Sequence, residues 1–130
     1  MPGYTIKTLE EVPDVLGDYP GEMRMLTTGL GNEQVAFTYR RMPQHTGGKG
    51  SYGHSHRSQE EIYFVVSGKL LFKLGDDVIE ASKGTAIRVA PEVVRSVWND
   101  EPYDAELVIC SKRIEDSQGD TEYTENFWPE

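Results

Sequence analysis

Two histidines one residue apart, His54 and His56, are followed after four residues by Glu61, a set of side chains equipped to hold a metal ion. On an extended strand, residues two apart leave the same face, so both imidazoles are presented together. Glu61 opens a β-branched and aromatic run, Ile62 to Val66, that ends in a turn at Ser67-Gly68. With Glu61 pointing inward, Tyr63 and Val65 follow it inside, and Ile62, Phe64 and Val66 face outward. Two imidazoles and one carboxylate on one cavity make the facial ligand set that leaves open positions on a divalent transition-metal ion. Fe, Mn, Ni, Cu and Zn all suit such donors, and the donors do not choose among them. The same three side chains would also form a hydrogen-bonded polar cluster in an ion-free cavity. His45, in the glycine-rich stretch Pro43 to Gly50, is left out of the site because a lone loop histidine is more often exposed and silent.

The wider stretch GKGSYGHSHRSQEEIYFVVSG, Gly48 to Gly68, sets Gly48, His54, His56, Glu61 and Gly68 at intervals of five, one, four and six residues. This spacing resembles the first conserved motif of the cupins, with every marked position filled. A second stretch, Gly84 to Asn99, is similar to their second motif, with its opening Gly84 and closing Asn99 in register. Ala90 stands where the family has proline, Glu92 where it has the turn glycine, and Arg95 where it has a histidine, the fourth metal ligand. The resemblance implies a single-domain β-barrel, a double-stranded β-helix or jelly roll, with His54, His56 and Glu61 as metal ligands. It also turns Arg95 into the barrel, where an arginine must find an anion. Glu61 is one partner for it, and a substrate carboxylate is the other. The second is the expectation, making Arg95 a substrate anchor and a small organic acid the ligand.

Two classes of function follow. One is a metal-dependent enzyme of dioxygenase, decarboxylase or isomerase type, with Tyr63 as candidate proton donor. An inward tyrosine is also ordinary core filling. The other class is a non-catalytic small-molecule binder, with or without metal, serving as sensor or storage module.

The rest of the chain reads as all-β. A chain of 130 residues is one domain, and 13 glycines and 7 prolines punctuate short strands better than long helices. Strands are expected at Tyr4 to Ile6, Met23 to Thr27, Gln34 to Met42, Lys69 to Leu74, Val78 to Ala81, Thr85 to Val89, Val93 to Trp98 and Glu106 to Lys112. With the central motif this suggests about eight or nine strands in a barrel or sandwich. Thr8 to Glu11 has the form of a capping box, and Pro13 limits it to one helical turn. Residues 1–112 read as the barrel with its N-terminal strands. Residues 113–130 read as an acidic tail, with Phe127 and Trp128 adjacent, that docks on the barrel or on a dimer partner.

The formal net charge of −9, from 22 acids against 13 bases, argues against nucleic acid or an anionic membrane as partner. No apolar run approaches the roughly 18 residues of a transmembrane helix, and the N-terminus lacks an apolar signal region, so a cytoplasmic protein is expected. The single cysteine, Cys110, reads as a small buried hydrophobe in the last strand. The outward stripe Ile62, Phe64, Val66 calls for a cover, and a homodimer is the expected one.

Overall fold

Alternation along one strand sets the architecture that the site needs. In the computed structural model, which describes residues 3–130, strand β5 (Glu61–Ser67) buries Glu61, Tyr63 and Val65 and leaves Ile62, Phe64 and Val66 at 47, 39 and 39 % exposure. A strand with one dry and one wet face can hold only one register, because a one-residue slip would reverse every side chain.

Around it the strands run in chain order β1 (Glu22–Met25), β2 (Val35–Met42), β3 (Thr46–Gly47), β4 (Ser51–His56), β5, β6 (Lys69–Leu74), β7 (Asp77–Ser82), β8 (Ala86–Val89), β9 (Arg95–Asn99), β10 (Ala105–Lys112) and β11 (Thr121–Trp128). They form two antiparallel sheets, β1-β2-β10-β5-β8 and β11-β4-β9-β6-β7, with β3 paired to β9. Buried residues of both sheets meet in one core, Val65, Leu107, Met42 and Tyr63 from the first against Leu70, Phe72 and Ala81 from the second. This is the all-β jelly-roll arrangement expected, with helix confined to short pieces.

Two glycines of the histidine motif have a physical reason to be glycine. At Gly48 a Cβ would stand 1.9 Å from Ser96 Oγ. Gly68 takes φ +77° at the turn after β5, with Ala105 Cα 2.9 Å from any Cβ it might carry.

Several sequence expectations are corrected. Tyr4 to Ile6 is not a strand; it runs exposed, and among the described residues no strand pairs with it. The strand expected at Met23 to Thr27 ends at Met25, and α1 (Leu26–Leu30) follows, closed by Gly31 in the left-handed region. Thr27 Oγ1 accepts from Phe37 N–H at 2.7 Å, a side-chain bond that holds this helix beside β2. Among the described residues the strands number eleven, with Tyr4 to Ile6 lost from those expected and β3 and β11 added. Residues of the acidic stretch form α2 (Ser117–Asp120) and then β11, which pairs with β4 through Thr121 to His56 and Tyr123 to His54. Trp128 at its end is buried, and its carbonyl accepts from Gly50 N–H at 2.5 Å. Among the described residues no helix is long and apolar enough to cross a membrane.

Candidate metal centre

The two sheets bring the three motif residues to one place. Inside β4, His54 and His56 leave the same face, and β5 begins with Glu61 facing them. One ligand atom from each of the three lies within 4.8 Å of the others. Glu61 Oε1 stands 3.8 Å from His54 Nε2, and Oε2 stands 3.6 Å from His56 Nε2. These are separations longer than a hydrogen bond, so the groups face one another without closing on each other. The rings meet edge to face, 5.1 Å between centroids.

His56 carries the most informative detail. Its Nε2 is buried and has no hydrogen-bond partner, although it points at the carboxylate. Its other nitrogen, Nδ1, lies 3.4 Å from Asp120 Oδ2 and 3.5 Å from Thr121 Oγ1. An Asp beside Nδ1 favours the tautomer with the proton there, which leaves the Nε2 lone pair aimed at Glu61 and His54. Burial pushes the His56 pKa below its ordinary value, with Glu61 opposing and the His54 and Arg95 charges assisting, so the ring is held neutral. A buried, neutral, unpaired imidazole nitrogen beside a second imidazole and a carboxylate is a donor set that fits a divalent transition metal.

Glu61 is held as an anion. Burial pulls its pKa upward, but His54, the Tyr63 hydroxyl and the Arg95 charge outweigh that, and the net shift is downward. Tyr63 donates to Glu61 Oε1 at 2.6 Å, and Arg95 Nε lies 3.5 Å from the same oxygen. Oε2 faces His56 and takes neither contact.

The roles expected for Tyr63 and Arg95 change with this geometry. Tyr63 is 4 % exposed, its proton is engaged on Glu61, and burial drives its pKa well up. Where the sequence suggested a proton donor, its hydroxyl proton is already engaged in holding one oxygen of Glu61. Arg95 is turned inward and is 1 % exposed. Its terminal nitrogens donate to backbone carbonyls at the end of β8 and in the β8–β9 connection, Val89 at 3.5 Å, Ala90 at 3.1 Å and Pro91 at 3.4 Å. A fork so engaged is not open to a substrate carboxylate. His45, in the left-handed region at φ 60°, stacks on Trp98 away from the cluster.

Two residues were missed by sequence reasoning. Asp120 accepts from Ser58 N–H at 2.9 Å, Ser58 Oγ at 2.6 Å and Gln59 N–H at 3.1 Å, pinning the β4–β5 connection beside His56. Desolvation raises its pKa, and these bonds more than reverse that, leaving it below the usual carboxylate range. Arg40, on the inner face of β2, is the other.

The cupin domain model matches residues 41–110, more than half of the chain. An uncharacterized protein of Methanocaldococcus jannaschii is 31 % identical over 58 residues, covering 45 % of this chain and 46 % of that protein, so the match spans about half of the relative's length. Among solved structures, a cupin-superfamily sugar phosphate isomerase from Silicibacter pomeroyi superposes with TM-score 0.74 at 16 % identity, covering 94 % of this chain and 93 % of that one. A predicted oxalate decarboxylase from Thermotoga maritima gives 0.69 at 18 % identity over 85 % of this chain and 100 % of its own. KdgF from Halomonas gives 0.68 at 15 % identity over 86 % and 96 %. At these identities the likeness is one of fold.

Proposed function

The chain belongs to the cupin domain family, and from that premise we propose that it binds one divalent transition-metal ion at His54, His56 and Glu61 and acts on a small carboxylated organic molecule. The observation that carries this reading is the buried, unpartnered Nε2 of His56, with Asp120 beside the opposite nitrogen. A hydrogen-bonded polar cluster without metal would be expected to close that nitrogen onto Glu61, yet the two stand 3.6 Å apart.

A divalent ion of the Fe, Mn, Ni, Cu or Zn class would supply Lewis acidity or oxygen chemistry there, with three protein donors leaving positions open to a substrate. The chain's own residues prepare the place. Asp120 holds the His56 tautomer, Tyr63 fixes one oxygen of Glu61, and Arg95 keeps the carboxylate ionised. Tyr52 and Tyr123, their rings edge to face at 5.4 Å, lie on the strands that carry and flank His54. The anionic class of substrate is supported by two fold neighbours named for anions, the sugar phosphate isomerase and the predicted oxalate decarboxylase. Oxidation, decarboxylation and isomerisation all suit this equipment.

A metal-free binding module is the second reading, and one observation favours it. Arg95 already places a buried cation 3.5 Å from Glu61. Metal analysis after dialysis separates the two readings. Wild type should retain close to one equivalent, and His56→Ala should lose most of it while keeping its β-sheet circular dichroism. Equal metal content in both proteins would place the ion elsewhere, and no metal in wild type would leave the binding module. A screen of small organic acids for oxygen uptake or product formation then separates enzyme from metal-holding binder.

A further inference from the structure

We infer that Arg40, and not Arg95, binds the oxyanion end of the substrate inside the barrel. The inference deepens the proposed function and rests on the barrel interior being the substrate site.

Of the seven arginines of this chain five are accounted for by acids, and Arg113 is exposed to solvent. Arg24, Arg41, Arg57, Arg88 and Arg95 each face a carboxylate, Glu22, Asp104, Glu122, Glu60 and Glu61 in turn. Arg40 has no ion pair and no side-chain hydrogen bond among the described residues, and its Nε is buried without a partner. The aromatic-face contact that Lys73 makes over Phe127 at 3.9 Å has no counterpart at Arg40 among those residues.

Register shows where this charge sits. Arg41 turns outward to Asp104, so Arg40 next to it turns inward. It lies opposite Leu107 of β10 and two residues from Met42, both at 0 % exposure. The groups that act on its charge are the phenols of Tyr19, Tyr52 and Tyr63, with no acid among them, and burial lowers its pKa. Tyr63 touches Glu61, and Tyr52 precedes His54 by two residues on the same face of β4. The guanidinium therefore lies among the phenols that flank the three candidate ligands, on the sheet that also carries Glu61 and facing the sheet that carries the histidines.

An unpaired guanidinium on an inner barrel wall is costly to the free protein, and the group that would relieve it is a planar or tetrahedral oxyanion that can take its parallel N–H donors. Carboxylates and phosphate esters share that chemistry. A metal ion at the three candidate ligands and an anion clamp on β2, separated from Glu61 by β10, would hold such a substrate at both ends.

The test uses metal-loaded wild type, Arg40→Met and Arg40→Lys, titrated calorimetrically with malonate and, separately, with methyl phosphate. Wild type should bind one of these anions, and Arg40→Met should bind it roughly tenfold or more weakly at unchanged metal content, with Arg40→Lys between. The anion that shows the loss identifies carboxylate or phosphate as the group. If Arg40→Met keeps its metal and its anion affinity to within about twofold, the inference is overturned and the metal reading stands. If wild type holds no metal yet binds anions through Arg40, the metal reading fails and the inference stands. If wild type binds neither anion at millimolar concentration, the inference is overturned. Should Arg40→Met fail to fold, the 15N spectrum of wild-type arginine side chains decides. The Arg40 Nε–H signal should move on saturation with malonate or methyl phosphate, and an unmoved signal overturns the inference.

Discussion

Replacing Arg95 by methionine should tighten metal binding, and the structure gives the size. Arg95 Nε stands 3.5 Å from Glu61 Oε1, and a carboxylate–metal bond adds about 2 Å, so guanidinium and ion would lie on the order of 5 Å apart. A divalent ion bound by one carboxylate keeps one net positive charge. At an effective dielectric of about 20 the repulsion is roughly 3 kcal/mol, or about two decades of affinity. Methionine removes the charge, offers no new ligand and keeps much of the chain that fills the β8–β9 corner. The same change deprives buried Glu61 of its cation in the metal-free protein, a loss on the order of 3–5 kcal/mol when one partner of a buried pair is removed. The expected signature is therefore double: metal affinity up about a hundredfold by competition with a chelator, and a lower melting temperature in EDTA that metal restores. Affinity unchanged to within about threefold, or weakened, would refute the argument by showing that Glu61 is not a ligand or that the arginine charge does not reach the site. Arg95→His should raise affinity further, since it removes the same repulsion and adds a donor.

Asp120→Asn should lower metal affinity by about 10- to 100-fold, because the amide no longer demands a proton on His56 Nδ1; equal affinity by the same chelator competition would make Asp120 a purely structural clamp. The exposed stripe of Ile62, Phe64 and Val66 should be covered by a second copy of the chain, so wild type should scatter light as a dimer at micromolar concentration and Phe64→Glu as a monomer. A monomeric wild type would contradict this. Glu106 accepts from the Tyr39 hydroxyl and, at 2.8 Å, from Ser67 Oγ, and both bonds lower its pKa. A carboxylate with a depressed folded pKa stabilises the fold above its unfolded value, near 4.3, and loses that contribution as pH falls through the folded value. The melting temperature of Glu106→Gln should accordingly fall less steeply than that of wild type between about pH 5 and pH 3, and parallel curves would count against it.

What the sequence made legible, and what it hid, follows from how each residue reaches the site. His54 and His56 are two apart on one strand and Glu61 begins the next, so period-two alternation is enough to bring them together, and the dry inner face of β5 forbids a slipped register. Arg95 could be placed inside by motif position, but not the carbonyls that occupy its fork, because these belong to a connection whose backbone path no side-chain pattern encodes. Arg40 was hidden by a misleading amphipathicity. In QVAFTYRRM the apolar set Val35, Phe37 and Tyr39 alternates with Ala36, Thr38 and Arg40, and the usual reading would send the apolar set to the core. The structure splits that set, leaving Val35 46 % exposed and burying Tyr39 on the face away from the main core, while Arg40 turns inward with fully buried Met42. The rule fails here because a barrel built around a polar site has two kinds of interior, a packed end at Met42 and Leu107 and a charged end at Glu61, and β2 crosses from one toward the other. Asp120 was hidden by distance. It is one acid in an acidic run, 62 residues from Ser58 whose hydroxyl and amide it accepts, and nothing local marks it. Only the pairing of Thr121 with His56 across β11 and β4 brings it beside the imidazole. The aromatics Phe127 and Trp128 announced that the C-terminal stretch needs a surface to cover. Its carboxylate at the other end, Asp120, announced nothing, although it is the group that reaches His56.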